Sequence, residues 1–301
     1  MKRSKADAIL LMITVVWGVT FPLMKNVLDY MPTFAYLTLR YSLAFIIISI
    51  IFIKSLLKVD IKTVLYGLVL GIFLYSGMAL QVAGLNYTTA SNSGFITGLS
   101  VVMVPVISAV ILKKKPGIDS VGGIILAVIG LGMLTGVFSK GINFNKGDLL
   151  TLCCAVCWAF YIIFVDRFSL KKDPKALSAI QFFFASVFYA ISWALTGGKA
   201  IEFSWPAFNI IIFTSVFCTV IAFGAQMMVQ RYTSPTHTAL IFTAEPVFAL
   251  LFALVIPNSA GVTETMKLVT AFGCMLILSG MFLSELKPFQ KIFINRLTKA
   301  V

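Results

Sequence analysis

Long apolar runs separated by short polar connectors set the pattern of this chain. The runs lie at roughly 8–24, 34–53, 63–83, 91–112, 120–138, 149–165, 175–196, 208–229, 235–255 and 265–284. Most approach the ~20 residues that an α-helix needs to cross the hydrocarbon core of a bilayer. In lipid, only helices or closed barrels satisfy every backbone group, and these runs are far longer than barrel strands. The pattern therefore predicts an all-α polytopic membrane protein with ten transmembrane helices.

Composition supports that prediction. Of the 301 residues, 59% are hydrophobic and 12% charged, with a mean hydropathy of +0.99. A soluble domain of ordinary composition carries about twice that charged fraction. The N-terminal MKRSKAD leads into the run from Ala8 to Met24, which is too long for a signal peptide and ends in FPLMK without a small-residue cleavage site. It is expected to remain as the first span. The net charge is +13, but no basic face or folded soluble module carries it, which argues against nucleic acid as a partner. Lys and Arg gather instead in alternate connectors. Lys2, Arg3, Lys5, Lys54, Lys58, Lys62, Lys113–Lys115, Arg167, Lys171, Lys172, Lys175 and Arg231 fall on one side, together with the tail residues Lys287, Lys291, Arg296 and Lys299. The other side keeps Lys25, Lys140, Lys146, Lys199 and Lys267. Cytoplasmic connectors are enriched in basic residues, so both termini are expected in the cytoplasm. Cys153, Cys154, Cys157, Cys218 and Cys274 all lie within apolar runs and read as small buried hydrophobes with no structural disulfide.

The chain also repeats itself. Asp7 and Trp17 recur as Asp148 and Trp158 after 141 positions, and the same shift carries Arg40 onto Gln181 and Pro105 onto Pro246. The Tyr87-Thr88 pair recurs as Tyr232-Thr233, and Gly123/Gly130 as Gly273/Gly280. The expected organisation is a five-helix repeat over 6–138, a second over 147–285 and a basic cytoplasmic tail over 286–301. Five is odd, so the second repeat must be inverted relative to the first. Inverted repeats are a signature of secondary transporters, which place their substrate site near the midplane between the halves.

Several stretches carry a family resemblance: VVWGVTFPLMKNVL with LRYSLAF, GLNYTTASNSGFITGLSVVMVPVISAVIL, CWAFYIIFVDRF and TAEPVFALLFALV. In order, spacing and duplication the chain resembles the drug/metabolite transporter superfamily, EamA type, over about residues 6–285. The resemblance implies a ten-helix carrier of the bacterial plasma membrane that moves amino acids, other small metabolites or drugs, commonly outward. The family often ends its fourth and ninth spans with an acid; here the fourth ends in Lys113–Lys115 and the ninth in Pro257-Asn258.

Glu245 is the sharpest candidate for chemistry. It is the only acidic side chain deep inside an apolar run, where an ionised carboxylate costs several kcal/mol. Two readings compete: it carries coupling protons or binds a cationic substrate group, or it is a neutral, hydrogen-bonded carboxyl holding the helix beside Pro246. Thr238, two turns earlier, is expected to share its face. Arg40 has three readings: a pair with Glu245, a grip on a substrate carboxylate, or a side chain reaching to the interface. Gln181 is its repeat counterpart. Trp17 and Trp158 sit midway along matching spans rather than at the interface, either walling a cavity or packing between helices. Tyr161 extends the Trp158 face. Polar stripes at helical spacing add Asn92, Ser93, Thr97 and Ser100 on the fourth span, Thr219, Gln226 and Gln230 on the eighth, and Tyr75, Met78 and Gln81 on the third. Such residues line a wet cavity or join helices to one another. Gly67/Gly71, Gly94/Gly98 and Gly132/Gly136 have the spacing of close-packing sites or gating hinges, and His237 reads as a loop histidine near a helix start, with a proton relay as the alternative.

No Walker A loop, HExxH or GxSxG occurs in the chain, so ATP drive, metal hydrolysis and serine-nucleophile chemistry find no motif here. The expectation is a non-enzyme with no cofactor and no metal. Its partners are a small-molecule substrate, the lipid bilayer and protons as the coupling-ion candidate through Glu245. The function expected is a secondary active exporter of small metabolites such as amino acids, in the plasma membrane of a bacterium. The alternatives are an uncoupled facilitator, a non-transporting scaffold or an intramembrane enzyme.

Overall fold

A computed structural model describes residues 1–85, 87, 96–113, 116–137, 145–198, 201, 204–257, 261–263 and 265–286, all helix or connection. Among the described residues, seven helices are long and apolar enough to cross a membrane: α1 (Arg3–Met24), α2 (Thr33–Ile51), α3 (Ile61–Gly84), α6 (Lys146–Ser169), α7 (Pro174–Leu195), α8 (Trp205–Tyr232) and α9 (Pro235–Ala253). Three shorter apolar helices are described as well: α4 (Ile96–Ile111), α5 (Ile118–Leu134) and α10 (Leu268–Ser284). The chain is thus an all-helical, polytopic membrane protein.

Local chemistry sets the ends. At α6, the Asn145 side chain accepts from the Gly147 and Asp148 N–H groups at 2.7 and 3.1 Å, and Asp148 accepts from the Asn145 N–H at 2.9 Å. This reciprocal cap satisfies donors that a helix start otherwise leaves open. Asp173 and Ser234 cap α7 and α9, each followed by a proline whose fixed φ suits the first helical turn. Gly136 closes α5 as a left-handed cap at φ 73°. Gly94, Asn92 and Ser93 lie outside the described residues.

Two helices are irregular where the sequence predicts smooth ones. α8 contains a π-helical segment, Val216–Ile221. α9 breaks after Phe242, and its second half starts at Glu245. The cause of the break is Pro246. Proline has no N–H to give the Phe242 carbonyl, and its ring clashes with the backbone one turn back.

Glycines set the closest approaches. A Cβ at Gly67 would collide with Ile180 Cγ2, and one at Gly71 would stand 2.8 Å from Phe184 Cβ, so this pair packs α3 against α7 as its spacing predicts. α5 and α10 cross with as little room. A Cβ at Gly123 would lie 2.5 Å from the Gly280 carbonyl oxygen, and one at Gly130 would lie 2.6 Å from that of Gly273. The contacts run in opposite order along the two helices, so α5 and α10 are antiparallel. Other packings are reciprocal under exchange of the halves: α3 lies on α6 as α8 lies on α1, and α4 on α6 as α9 on α1. The largest apolar cluster joins α2, α3, α6, α7 and α8 through Tyr36, Leu70, Val165, Phe182 and Phe223. All five cysteines are free; Cys153 is exposed, while Cys154, Cys218 and Cys274 are buried.

Candidate functional site

Trp17 and Trp158 lie on different helices yet converge on one ring. Phe223 of α8 lies 4.7 Å from the Trp17 ring and 6.5 Å from that of Trp158, with Tyr161 and Phe182 at 6.0 and 6.3 Å. Phe242 closes the other side of Trp17 at 5.0 Å. Each tryptophan also meets a matching position on its neighbouring helix. Trp158 covers Gly77 of α3, where a Cβ would come within 3.0 Å of the indole. Trp17 donates its indole N–H to the Cys218 carbonyl of α8 at 3.1 Å. Phe223 has no polar signal, and among 27 phenylalanines nothing in the sequence singles it out.

The π segment explains how Cys218 can accept. A π turn disturbs the regular i→i−4 ladder and leaves carbonyls free for outside donors. Arg40 of α2 uses the same opening. Its Nη2 donates to the Cys218 carbonyl at 3.3 Å, its Nε to Thr219 Oγ1 at 2.7 Å and its Nη1 to the Tyr36 hydroxyl at 3.5 Å. Arg40 is only 2% exposed, so it does not reach to the interface, and none of these partners is a carboxylate. The expected Arg40–Glu245 pair is not formed. The π segment also separates the eighth-span stripe: Thr219 faces Arg40, whereas Gln226 donates to Gln230, which donates to the Ile162 carbonyl of α6.

Glu245 opens the second half of α9, at the free N–H groups of a helix start, where a carboxylate is favourably placed. The half-helix crosses α1 tightly, since a Cβ at Gly18 would stand 2.5 Å from Phe248 Cβ. Gly18 follows Trp17, which places the acid's half-helix beside the aromatic group. Glu245 is partly accessible, and its carboxylate has no hydrogen bond or ion pair among the described residues. The break falls between Thr238 and Glu245, so the two residues stand on different halves of α9.

Buried polar atoms without partners occur on the helices that carry this aromatic group. Tyr161 donates to Gln181 Oε1 at 3.0 Å, which leaves Gln181 Nε2 unpaired among the described residues. The Tyr41 hydroxyl, Gln226 Oε1 and Thr238 Oγ1 are also buried and unpaired there. Orphaned polar groups are rare in folded proteins, and each calls for a partner such as a water, an ion or a ligand. Tyr75 bonds Ser192 of α7 at 2.7 Å instead, Met78 joins the large apolar cluster, and Gln81 is half-buried on α3. Thr97 lies half-buried at the start of α4.

His237 departs from its expected role. It is 2% exposed in the first turn of α9, with Nδ1 at 3.2 Å from Ser284 Oγ and Nε2 at 3.5 Å from Asp7 Oδ2. It ties α9 to α10 and α1. The signal in the sequence is the Asp7 of the repeat, a carboxylate at the edge of an apolar run that needs a partner.

The sequence model of the EamA-like transporter family matches this chain twice in tandem, over residues 4–136 and 145–286. The chain belongs to the EamA-like transporter family. Its EamA-like relatives include an uncharacterized transporter of Archaeoglobus fulgidus, 33% identical over 95% of this chain and 87% of that protein. The uncharacterized transporter YvbV of Bacillus subtilis is 26% identical over 95% and 93% of the two chains. A solved crystal structure shares the fold at a TM-score of 0.79 and 16% identity, covering 96% of this chain and 99% of that one.

Proposed function

We propose that this EamA-like protein is a secondary active transporter that exports small metabolites such as amino acids. In this reading it crosses the plasma membrane ten times, with both termini in the cytoplasm. Its two inverted five-helix halves alternate access around the Trp17–Phe223–Trp158 group, and Glu245 exchanges protons or meets a cationic substrate group. The family supports transport of small solutes. The antiparallel crossing of α5 and α10 supports the inversion, because the repeat equates these two helices.

The observation that carries the reading is Glu245 at a helix break, partly accessible and unpartnered among the described residues. Broken helices near the midplane, with half-helix ends facing a cavity, are how transporters build ion and substrate sites. Tyr41, Gln181, Gln226 and Thr238 offer the polar atoms a bound solute would satisfy, and the tryptophans offer apolar walls. Arg40 supports the site through the π segment it holds.

Flux in liposomes under an imposed proton gradient tests this. The wild-type protein is expected to accumulate or expel substrate in proportion to the gradient, and Glu245→Gln to lose that dependence while remaining folded. Unchanged gradient dependence in Glu245→Gln removes the proton role. Flux indifferent to any ion gradient in the wild type selects a facilitator instead.

A further inference from the structure

Three connections, α2–α3, α6–α7 and α8–α9, border a cavity of about 790 Å³ at one end of the molecule. Lys54, Lys58, Lys171, Lys172 and Arg231 line it, against two acids, Asp60 and Asp173. Both acids are engaged. Asp60 bonds Lys172 and accepts from the Thr63 N–H at 3.0 Å, while Asp173 accepts from the Lys175 N–H at 3.1 Å. The side chains of Lys54, Lys58 and Lys171 have no hydrogen bond or ion pair among the described residues. The general bias of basic residues toward cytoplasmic connectors explains lysines at this end of the protein. That bias does not by itself bring cations from three separate connections around one cavity.

Exposed aliphatic residues adjoin this basic lining in sequence. Leu57, between Lys54 and Lys58 in sequence, is 79% exposed, and Ile61 at the start of α3 is 70% exposed. Unpaired cations beside exposed aliphatic side chains match a ligand with an anionic head and an apolar tail.

We propose that this cavity binds the headgroup phosphate of an anionic glycerophospholipid, whose acyl chains lie along Leu57 and Ile61. Free phosphate shares the head chemistry but leaves the apolar surface unused. The lipid bridges a connection of the first matched stretch to two connections of the second, and so braces the two halves at this end.

Full-length protein in detergent is titrated with phosphatidylglycerol, phosphatidylcholine or inorganic phosphate. Bound lipid is counted by native mass spectrometry and the unfolding midpoint is followed by fluorescence, so the readout is independent of transport. Phosphatidylglycerol is expected to be retained and to raise the midpoint, and the other two are not. The triple variant Lys54→Gln/Lys58→Gln/Lys171→Gln is expected to retain phosphatidylglycerol about tenfold less well or worse. The charge-matched Lys2→Gln/Lys5→Gln/Lys113→Gln keeps it. Equal retention of the two lipids, equal loss in the two variants, or a response to inorganic phosphate alone overturns the proposal. If the triple variant fails to fold, Lys58→Gln and Lys171→Gln singly, each with the wild-type helical content, give the same comparison.

Discussion

Arg40 keeps a buried charge among neutral acceptors, which requires that its whole fork be used. Thr219, Tyr36 and the Cys218 carbonyl lie in three directions from the guanidinium. A lysine carries the same charge on a single nitrogen and cannot reach all three. Arg40→Lys is therefore expected to lower unfolding stability in detergent by about 1–3 kcal/mol, the scale of lost hydrogen bonds to a charged group. A midpoint equal to wild type would show that the π segment holds itself. Arg40 and Glu245 are the two charges that the sequence picks out inside apolar runs, and their existence was legible there. Their lack of mutual contact was not, because which carbonyls a π turn frees depends on helix neighbours 178 residues apart in sequence.

Among the helices, the α5–α10 crossing sets backbone directly against backbone. A methyl group at position 123 or 130 has to displace a backbone carbonyl, which no rotamer change relieves. Gly123→Ala is expected to cost about 1–3 kcal/mol, as overpacking of a well-fitted contact does. Gly117 has an ordinary φ of −74°, and a methyl group added there would meet nothing within 4 Å. Gly117→Ala is therefore expected to stay within about 0.5 kcal/mol of wild type. Thermal unfolding of the two variants side by side separates a packing effect from the general effect of losing glycine. The seven-residue spacing of both glycine pairs shows in the sequence; that they face each other in reverse order is a property of the packed pair. The break in α9 was foreshadowed by Pro246, and the π segment in α8 had no such mark.

For the molecule as a whole, Asp60 and Lys172 join the α2–α3 connection to the α6–α7 connection. The hydrogen bonds from Lys172 and then Thr63 hold the Asp60 carboxyl well below the usual carboxylate range. A depressed folded value means stability that is fully present above the unfolded carboxylate value of about 4 and is lost as pH falls through the folded one. The pair is exposed, so the effect is small and weakens with salt. Asp60→Asn is expected to unfold at a slightly lower temperature than wild type at pH 7, with the gap closing at progressively lower pH. A gap that is constant with pH would assign the effect to the helix cap at Thr63 rather than to charge.

By itself the sequence determined the class, because the length and polarity of apolar runs are local properties that the bilayer reads directly. It also marked Trp17, Trp158, Arg40, Gln181 and Glu245 as unusual for their settings. Tertiary structure alone decided which of these meet. Phe223 became the shared ring of the two tryptophans, and His237 left the surface for Asp7 and Ser284. The physical reason is that helix register and crossing are set by side chains on other helices, by glycines that admit a backbone and by a proline that withholds a hydrogen bond. None of these is a property of one stretch of chain.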